Sequence, residues 1–410
     1  MSILSEYFFD ENLIFAFFPM THFISRRAFL GAGAAIPFAG TMLHATGTQT
    51  TSKVPPLIHC TDLFHPHGDP DDHFDLACVF SLAHQGLVDL KCIGMDYPPG
   101  FRAGDPGLIP VAQMNRICGL NVPTFIGSSQ FAEQLTIHPS APEYLNSAKP
   151  VSKKIDARPD LSRRDSIGIQ SILEALDKSD RPVAITVVGS SMDVAIAARR
   201  EPELFRKKCA GVYLNAGATH QTAPEKLEFN VNLNPAAYAA MFDLPCPLYW
   251  FPCWHMTEER KSGEWGTFYW MPHKTVFEGV SVPVRSYFWY MFSRSQDPRY
   301  IRMLKTPPPE EDWHKVLEGQ RGMWSTASIL MLAGLTVTRS GKIVPLGEAG
   351  DDAIFRMEHV QVECEDNGRL KWELSKEPTG RFVFHVLDVP NYPNAMTEAV
   401  RSLLLAFPEA

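Results

Sequence analysis

The chain has 410 residues, 45% of them hydrophobic and 20% charged, with a formal net charge of −8. That balance supplies a large buried core and fits a soluble globular protein of one large or two smaller domains. The acidic excess, with no long basic run, excludes nucleic acid and anionic membrane as expected partners. Eight cysteines lie scattered without a Cys-x-x-Cys pair, so neither a zinc ribbon nor a disulfide framework is legible; they read as small buried hydrophobes.

Residues 1–50 read as a targeting segment. Ser25-Arg26-Arg27-Ala28-Phe29-Leu30 is a twin-arginine signature, followed by a weakly apolar stretch from Gly31 to Met42. A cleavage point is expected near His44-Ala45, and Met20 is a candidate start. The expected destination is the periplasm or the medium. Residues 51–410 are expected to form one domain, with no membrane span after removal of the signal.

Within that part, Val54 to Cys60 reads as a buried strand and Phe74 to Ala83 as a helix. Strands are expected over Val88–Met95, Val122–Gly127, Val183–Val188, Gly211–Asn215 and Pro247–Phe251. Helices are expected over Leu108–Gly119, Ile167–Leu176, Met192–Arg200, Ala236–Phe242, Val284–Met291, Gly322–Ala333 and Thr397–Leu405. Tyr97–Gly107 and residues 128–164 read as loops, and the Trp-rich stretch from Trp250 to Trp270 as ending in a surface loop. Val360–Cys364, Leu370–Leu374 and Arg381–Leu387 alternate as antiparallel strands do. The fold expected is α/β, a Rossmann-like and mostly parallel sheet flanked by helices, with a small antiparallel C-terminal extension.

Between the first strand and the first helix stands Asp62-Leu63-Phe64-His65-Pro66-His67-Gly68-Asp69-Pro70-Asp71-Asp72. Four carboxylates this close repel unless a cation neutralises them or a proton is shared. A cap and a turn need one or two Asp, not four. Hard oxygen ligands suit calcium or magnesium better than zinc. The turn also follows the C-terminal end of a strand, where open α/β sheets place ligands.

The chain resembles the calcium-dependent, inosine-uridine-preferring nucleoside hydrolases. Their Asp-rich turn, D-x-D-P-G-x-D-D, is similar to Gly68-Asp69-Pro70-Asp71-Asp72 with Asp62 upstream. Gly189-Ser190-Ser191-Met192-Asp193-Val194-Ala195 followed by Arg200-Glu201-Pro202-Glu203-Leu204 resembles a second family stretch. Glu228-Phe229-Asn230 followed by Asn234-Pro235-Ala236-Ala237 resembles a third. The resemblance spans roughly residues 55–405. It implies a nucleoside-hydrolase-like fold, one calcium ion per chain, a ribonucleoside or related glycosyl substrate and a homo-oligomer. By the same resemblance Asp71 matches the general base, Asp72 a bidentate calcium ligand, Asp62 an upstream ligand and the Met192 carbonyl a backbone ligand. Glu228 and Asn230 match residues that hold the ribose, and Asp96 falls where the family has a sugar-contacting Asn. With Glu228 and Asn230 on an extended segment, Asn232 extends the same face.

Two departures stand out. Nine residues separate Asp62 from Asp71, and both Asp62 and Asp69 are candidates for the second acidic ligand. Where the family has a late His-Asp pair, this chain has Trp324-Ser325-Thr326, with no carboxylate. His255, in a Trp-rich segment, is a further candidate contact to the substrate, and Trp250, Trp254 and Trp270 are candidates to stack on a base. Two other readings are a metal hydrolase built on His65 and His67, which needs later ligands at strand ends where His220, His255 and His273 do not fall, and a non-catalytic nucleoside- or sugar-binding protein.

Overall fold

The computed structural model describes residues 54–66, 70–96, 105–127, 167–221, 226–257 and 260–409. The expected targeting segment, His67, Asp69, the loop 97–104 and the whole of the expected loop 128–164 lie outside the described residues.

β1 (Pro56–Thr61) buries all six of its residues. Leu57 belongs to one hydrophobic cluster and Ile58 to another, because successive side chains of a strand point to opposite faces. A strand buried on both faces reads as a continuous apolar run, as this one does. α1 (Asp71–His84) follows, with every residue from Asp72 to Leu82 buried. β2 (Asp89–Met95), α2 (Leu108–Cys118), β3 (Thr124–Ile126), α3 (Ile167–Lys178), β4 (Val183–Val187), α4 (Met192–Arg200) and β5 (Cys209–Asn215) come next. Two short helices, α5 (Phe229–Leu233) and α6 (Pro235–Met241), lead to β6 (Leu248–Phe251). The rest comprises β7 (Tyr269–Pro272), α7 (Val282–Phe292), β8 (Gln320–Met323), α8 (Thr326–Leu332), β9 (Phe355–Cys364), β10 (Leu370–Leu374), β11 (Arg381–Val386) and α9 (Tyr392–Leu405).

One nine-stranded sheet runs β10-β9-β11-β6-β5-β4-β1-β2-β3. Neighbours from β3 to β11 are parallel, and β9 pairs antiparallel with both β11 and β10. α1, α2, α7, α8 and α9 contribute to the cluster on one face; α3, α4 and α6 contribute to the other. The expected α/β class, parallel sheet and antiparallel C-terminal strands are all present. No helix among the described residues is long and apolar enough to cross a membrane.

Three local expectations are corrected. α1 begins at Asp71, not Phe74, so Asp71 and Asp72 form its first turn, where the helix dipole favours carboxylates. The helix expected over Gly322–Ala333 is split. Gly322 and Met323 pair with Trp270 and Tyr269 in the β7–β8 ladder, and helix starts only at Thr326. The Trp-rich stretch likewise ends in strand β7, with Phe268 and Tyr269 buried.

Candidate active site

The inner strand order 3-2-1-4-5-6 places a topological switch point between β1 and β4. Chains leaving these two strands run to opposite faces, and the crevice this opens at their C-terminal ends is where such sheets bind ligands. Cys60 pairs with Val187, and the Val188 N–H donates to the Cys60 carbonyl at 2.9 Å. Asp62 therefore leaves β1 beside the turn that ends β4. A Cβ on Gly189 would lie 2.8 Å from the Asp62 backbone nitrogen and 2.5 Å from Asp96 Oδ2, so this close approach requires glycine.

A cavity of about 300 Å³ opens at this edge. Asp62, Asp71, Asp72, Glu228 and Asn230 line it, with Arg260, Arg321 and Ser325. Trp254, Trp270, Trp324, Phe229 and Phe268 supply its aromatic walls. Trp254 packs on Phe268 with ring centroids 4.7 Å apart and meets Trp324 edge-on at 5.5 Å. The volume is at the lower end of the range for small-molecule sites and suits a ligand of nucleoside size.

The acidic floor comes from α1. Asp75 lies one turn beyond Asp71 and Asp72 and is buried. Burial, opposed by a hydrogen bond from Ser325, pushes its carboxyl up to about 7. Burial, then Asp72, Asp75 and Asp62, push the Asp71 carboxyl well above the usual carboxylate range. A backbone hydrogen bond at Asp71 opposes the rise, and Arg321 Nη2 donates to Asp71 Oδ1 at 2.7 Å. Burial lowers the Arg321 guanidinium only to about 10, so it is cationic at neutral pH.

Glu228 and Asn230 reach the same cavity; Glu228 is extended, as expected, but Asn230 lies in a helix. Glu228 caps α5: its carboxylate accepts from the N–H groups of Asn230 (3.0 Å), Val231 (3.3 Å) and Gly217 (2.8 Å). Burial, opposed by those N–H groups, sets its carboxyl at about 7. Asn230 Nδ2 donates to the carbonyls of Val188 (3.2 Å) and Asn215 (3.0 Å), clamping the ends of β4 and β5 together. Asn215 in turn accepts from Ser328 and donates to the Trp324 carbonyl, tying β5 to the far wall. Because α5 is helical, two residues turn the chain by about 200°. Asn232 accordingly points away from Asn230; its Nδ2 donates to the Leu227 carbonyl, and it does not line the cavity.

The remaining expected site residues lie elsewhere. Asp96 Oδ2 accepts from the Ser190 N–H at 2.6 Å and braces the end of β4 from outside the cavity. Met192, expected to offer its carbonyl, opens α4 with its side chain in the core and does not line the cavity, whereas Val188 does. His255 packs at a tilt against His220, ring centroids 4.8 Å apart, and its carbonyl accepts from Thr219, while its neighbour Trp254 is the one that reaches the cavity. Trp250 is fully buried and donates to the Ala216 carbonyl, so it belongs to the core. Asp69 lies outside the described residues. Residues not anticipated include Arg321, Arg260, Trp324, Phe268 and Asp75. Only Asp75 carried a local signal, its helical spacing from Asp71 and Asp72.

The described donors do not by themselves fit a calcium site. Among the described residues, no group of three or more His, Cys, Asp or Glu side chains is placed to hold a metal. Asp62 and Asp72 face the cavity, but Asp71 is paired with Arg321 and the late position is Ser325. A calcium ion takes six to eight oxygens. Nor do His65 and His273 meet: His65 is bonded to the Ser295 carbonyl at 2.6 Å and stacked on Tyr290, and His273 is bonded to the Val316 carbonyl.

No protein-family model matches this chain, and no curated protein matches it. Among solved structures it is similar to an inosine-uridine preferring nucleoside hydrolase from Bacillus anthracis, at 12% identity and a TM-score of 0.45, covering 85% of this chain and 99% of that one. It is also similar to a purine-preferring ribonucleoside hydrolase from Gardnerella vaginalis, at 14% identity and a TM-score of 0.46, with 85% and 99% covered. A plant nucleoside hydrolase gives 12%, 0.46, 85% and 99%. These structural neighbours are nucleoside hydrolases at low sequence identity.

Proposed function

We propose that this protein hydrolyses the N-glycosidic bond of a ribosyl compound, with Asp71 as the general base. One observation carries the reading. The acidic residues after β1 and the Glu228–Asn230 pair, far apart in the chain, line one aromatic-walled cavity at the switch point of the sheet. In the reaction the C1′–O bond to water forms and the C1′–N bond breaks, its electron pair leaving on the base. Asp71 takes the proton of the attacking water. The transition state carries oxocarbenium character on the sugar, and Asp62 and Asp72 face the cavity with charge of the sign that stabilises it. Trp254, Trp270 and Trp324 offer faces on which a nucleobase stacks. Glu228 and Asn230 carry polar groups toward the sugar while their backbone-directed bonds hold them still.

The test is ribose release from inosine, uridine and p-nitrophenyl riboside by the purified protein. Release from at least one supports the reading; saturable binding of all three without release contradicts it. That second outcome would favour a non-catalytic binding protein, a reading supported by the engagement of Asp71 with Arg321.

A further inference from the structure

We propose that Arg321 is the resident cation of the acidic site. Its guanidinium occupies the face of Asp71 that a metal ion would otherwise neutralise, and the chain orders this carboxylate without a divalent ion bound there. The inference rests on the reading of Asp71 as the base.

The geometry is specific. Arg321 sits in β8, where its backbone is fixed opposite Met271 of β7. Its Cζ lies 5.8 Å from the centroid of the Trp324 ring, so the side chain is held over an aromatic face on its way to α1. The Nη2–Oδ1 contact of 2.7 Å joins two side chains only 23% and 15% exposed, unlike the solvated pairs of the surface. Arginine suits this task because its charge persists under burial and its planar donors match a carboxylate. The position is also telling. Arg321 stands four residues before Ser325, in the segment where the sequence has no carboxylate to complete a metal shell. Asp62, Asp71 and Asp72 line one cavity with Asp75 beneath them, an arrangement that needs positive charge, and Arg321 delivers it directly to Asp71.

The experiment measures metal content and thermal response to calcium on the purified protein and on Arg321→Gln, Arg321→Lys and Asp71→Asn. The proposal expects less than about one-tenth of a calcium per wild-type chain and no rise in Tm on adding calcium. It expects Arg321→Gln to lower Tm, calcium to restore it where sodium does not, and Arg321→Lys to recover most of the loss. Asp71→Asn should remove the penalty of Arg321→Gln in the double variant, a coupling that a merely space-filling arginine would not show. One tightly held calcium per wild-type chain, or additive effects of the two substitutions, overturns the proposal. If Arg321→Gln does not fold, the wild-type metal content and the Arg321→Lys response still decide. None of these readouts requires turnover. Calcium-bound wild type with ribose release would overturn the role of Arg321 and leave the hydrolase reading standing. Metal-free wild type with coupled variants but no ribose release would do the reverse.

Discussion

Asp75→Asn isolates the electrostatic cost of the acidic floor. Asp75 is buried against α8 and accepts from Ser325, and its carboxyl is raised from 3.8 to about 7. A carboxyl raised on folding favours the native state when protonated. That contribution is complete below the unfolded value of 3.8 and is lost as pH rises through about 7. The rise of about three pH units sets a ceiling of about 4 kcal/mol lost at pH 8, against about 1.5 kcal/mol at pH 5. Asparagine keeps an acceptor for Ser325 and cannot ionise. Any fixed cost of its amide group enters equally at both pH values, so the informative quantity is the difference. Urea unfolding of wild type and Asp75→Asn at pH 5 and pH 8 should show the variant gaining about 2–3 kcal/mol relative to wild type between the two. A stability difference that is the same at both pH values would refute the reasoning.

Other expectations follow from single contacts. Asn230→Asp replaces a donor to the Val188 and Asn215 carbonyls by a third acceptor, so we expect a loss of about 2–4 kcal/mol in denaturant unfolding, with Asn232→Ala as a near-neutral control. Gly189→Ala forces a Cβ against Asp96 and the Asp62 backbone and should cost about 1–3 kcal/mol while raising KM, read by unfolding and steady-state kinetics. Trp254→Ala should raise KM by about tenfold or more for ribosides with an aromatic leaving group, and much less for an alkyl riboside.

Much of this architecture was legible because its signals are local. β4 is an apolar, β-branched run and β1 and β5 are largely apolar ones, each ended by a polar turn, and parallel pairing follows from helices between them. The acidic turn was legible for the same reason, since Asp62, Asp71 and Asp72 reach one cavity through a single strand-to-helix connection. Glu228 and Asn230 were found as residues, but the extended backbone expected for both holds only at Glu228. The short stretch carries no periodicity to distinguish strand from helix, and the error displaced Asn232. Arg321 was invisible because its place depends on the β7–β8 ladder, a non-local pairing that also overrode the helical pattern read over Gly322–Ala333. Asp96 and His255 illustrate the limit of matching by position. Each lies next to the site in sequence or space, yet Asp96 braces a turn and His255 yields the cavity to Trp254.

The most direct measurement is ribose release from a p-nitrophenyl riboside or a natural nucleoside by wild type and by Asp71→Asn, each first checked for a native unfolding transition. The account expects turnover by wild type and a fall in kcat of about 10²-fold or more in the folded variant, in line with loss of a general base. Turnover undiminished in Asp71→Asn, or none in wild type across both substrates, would contradict it.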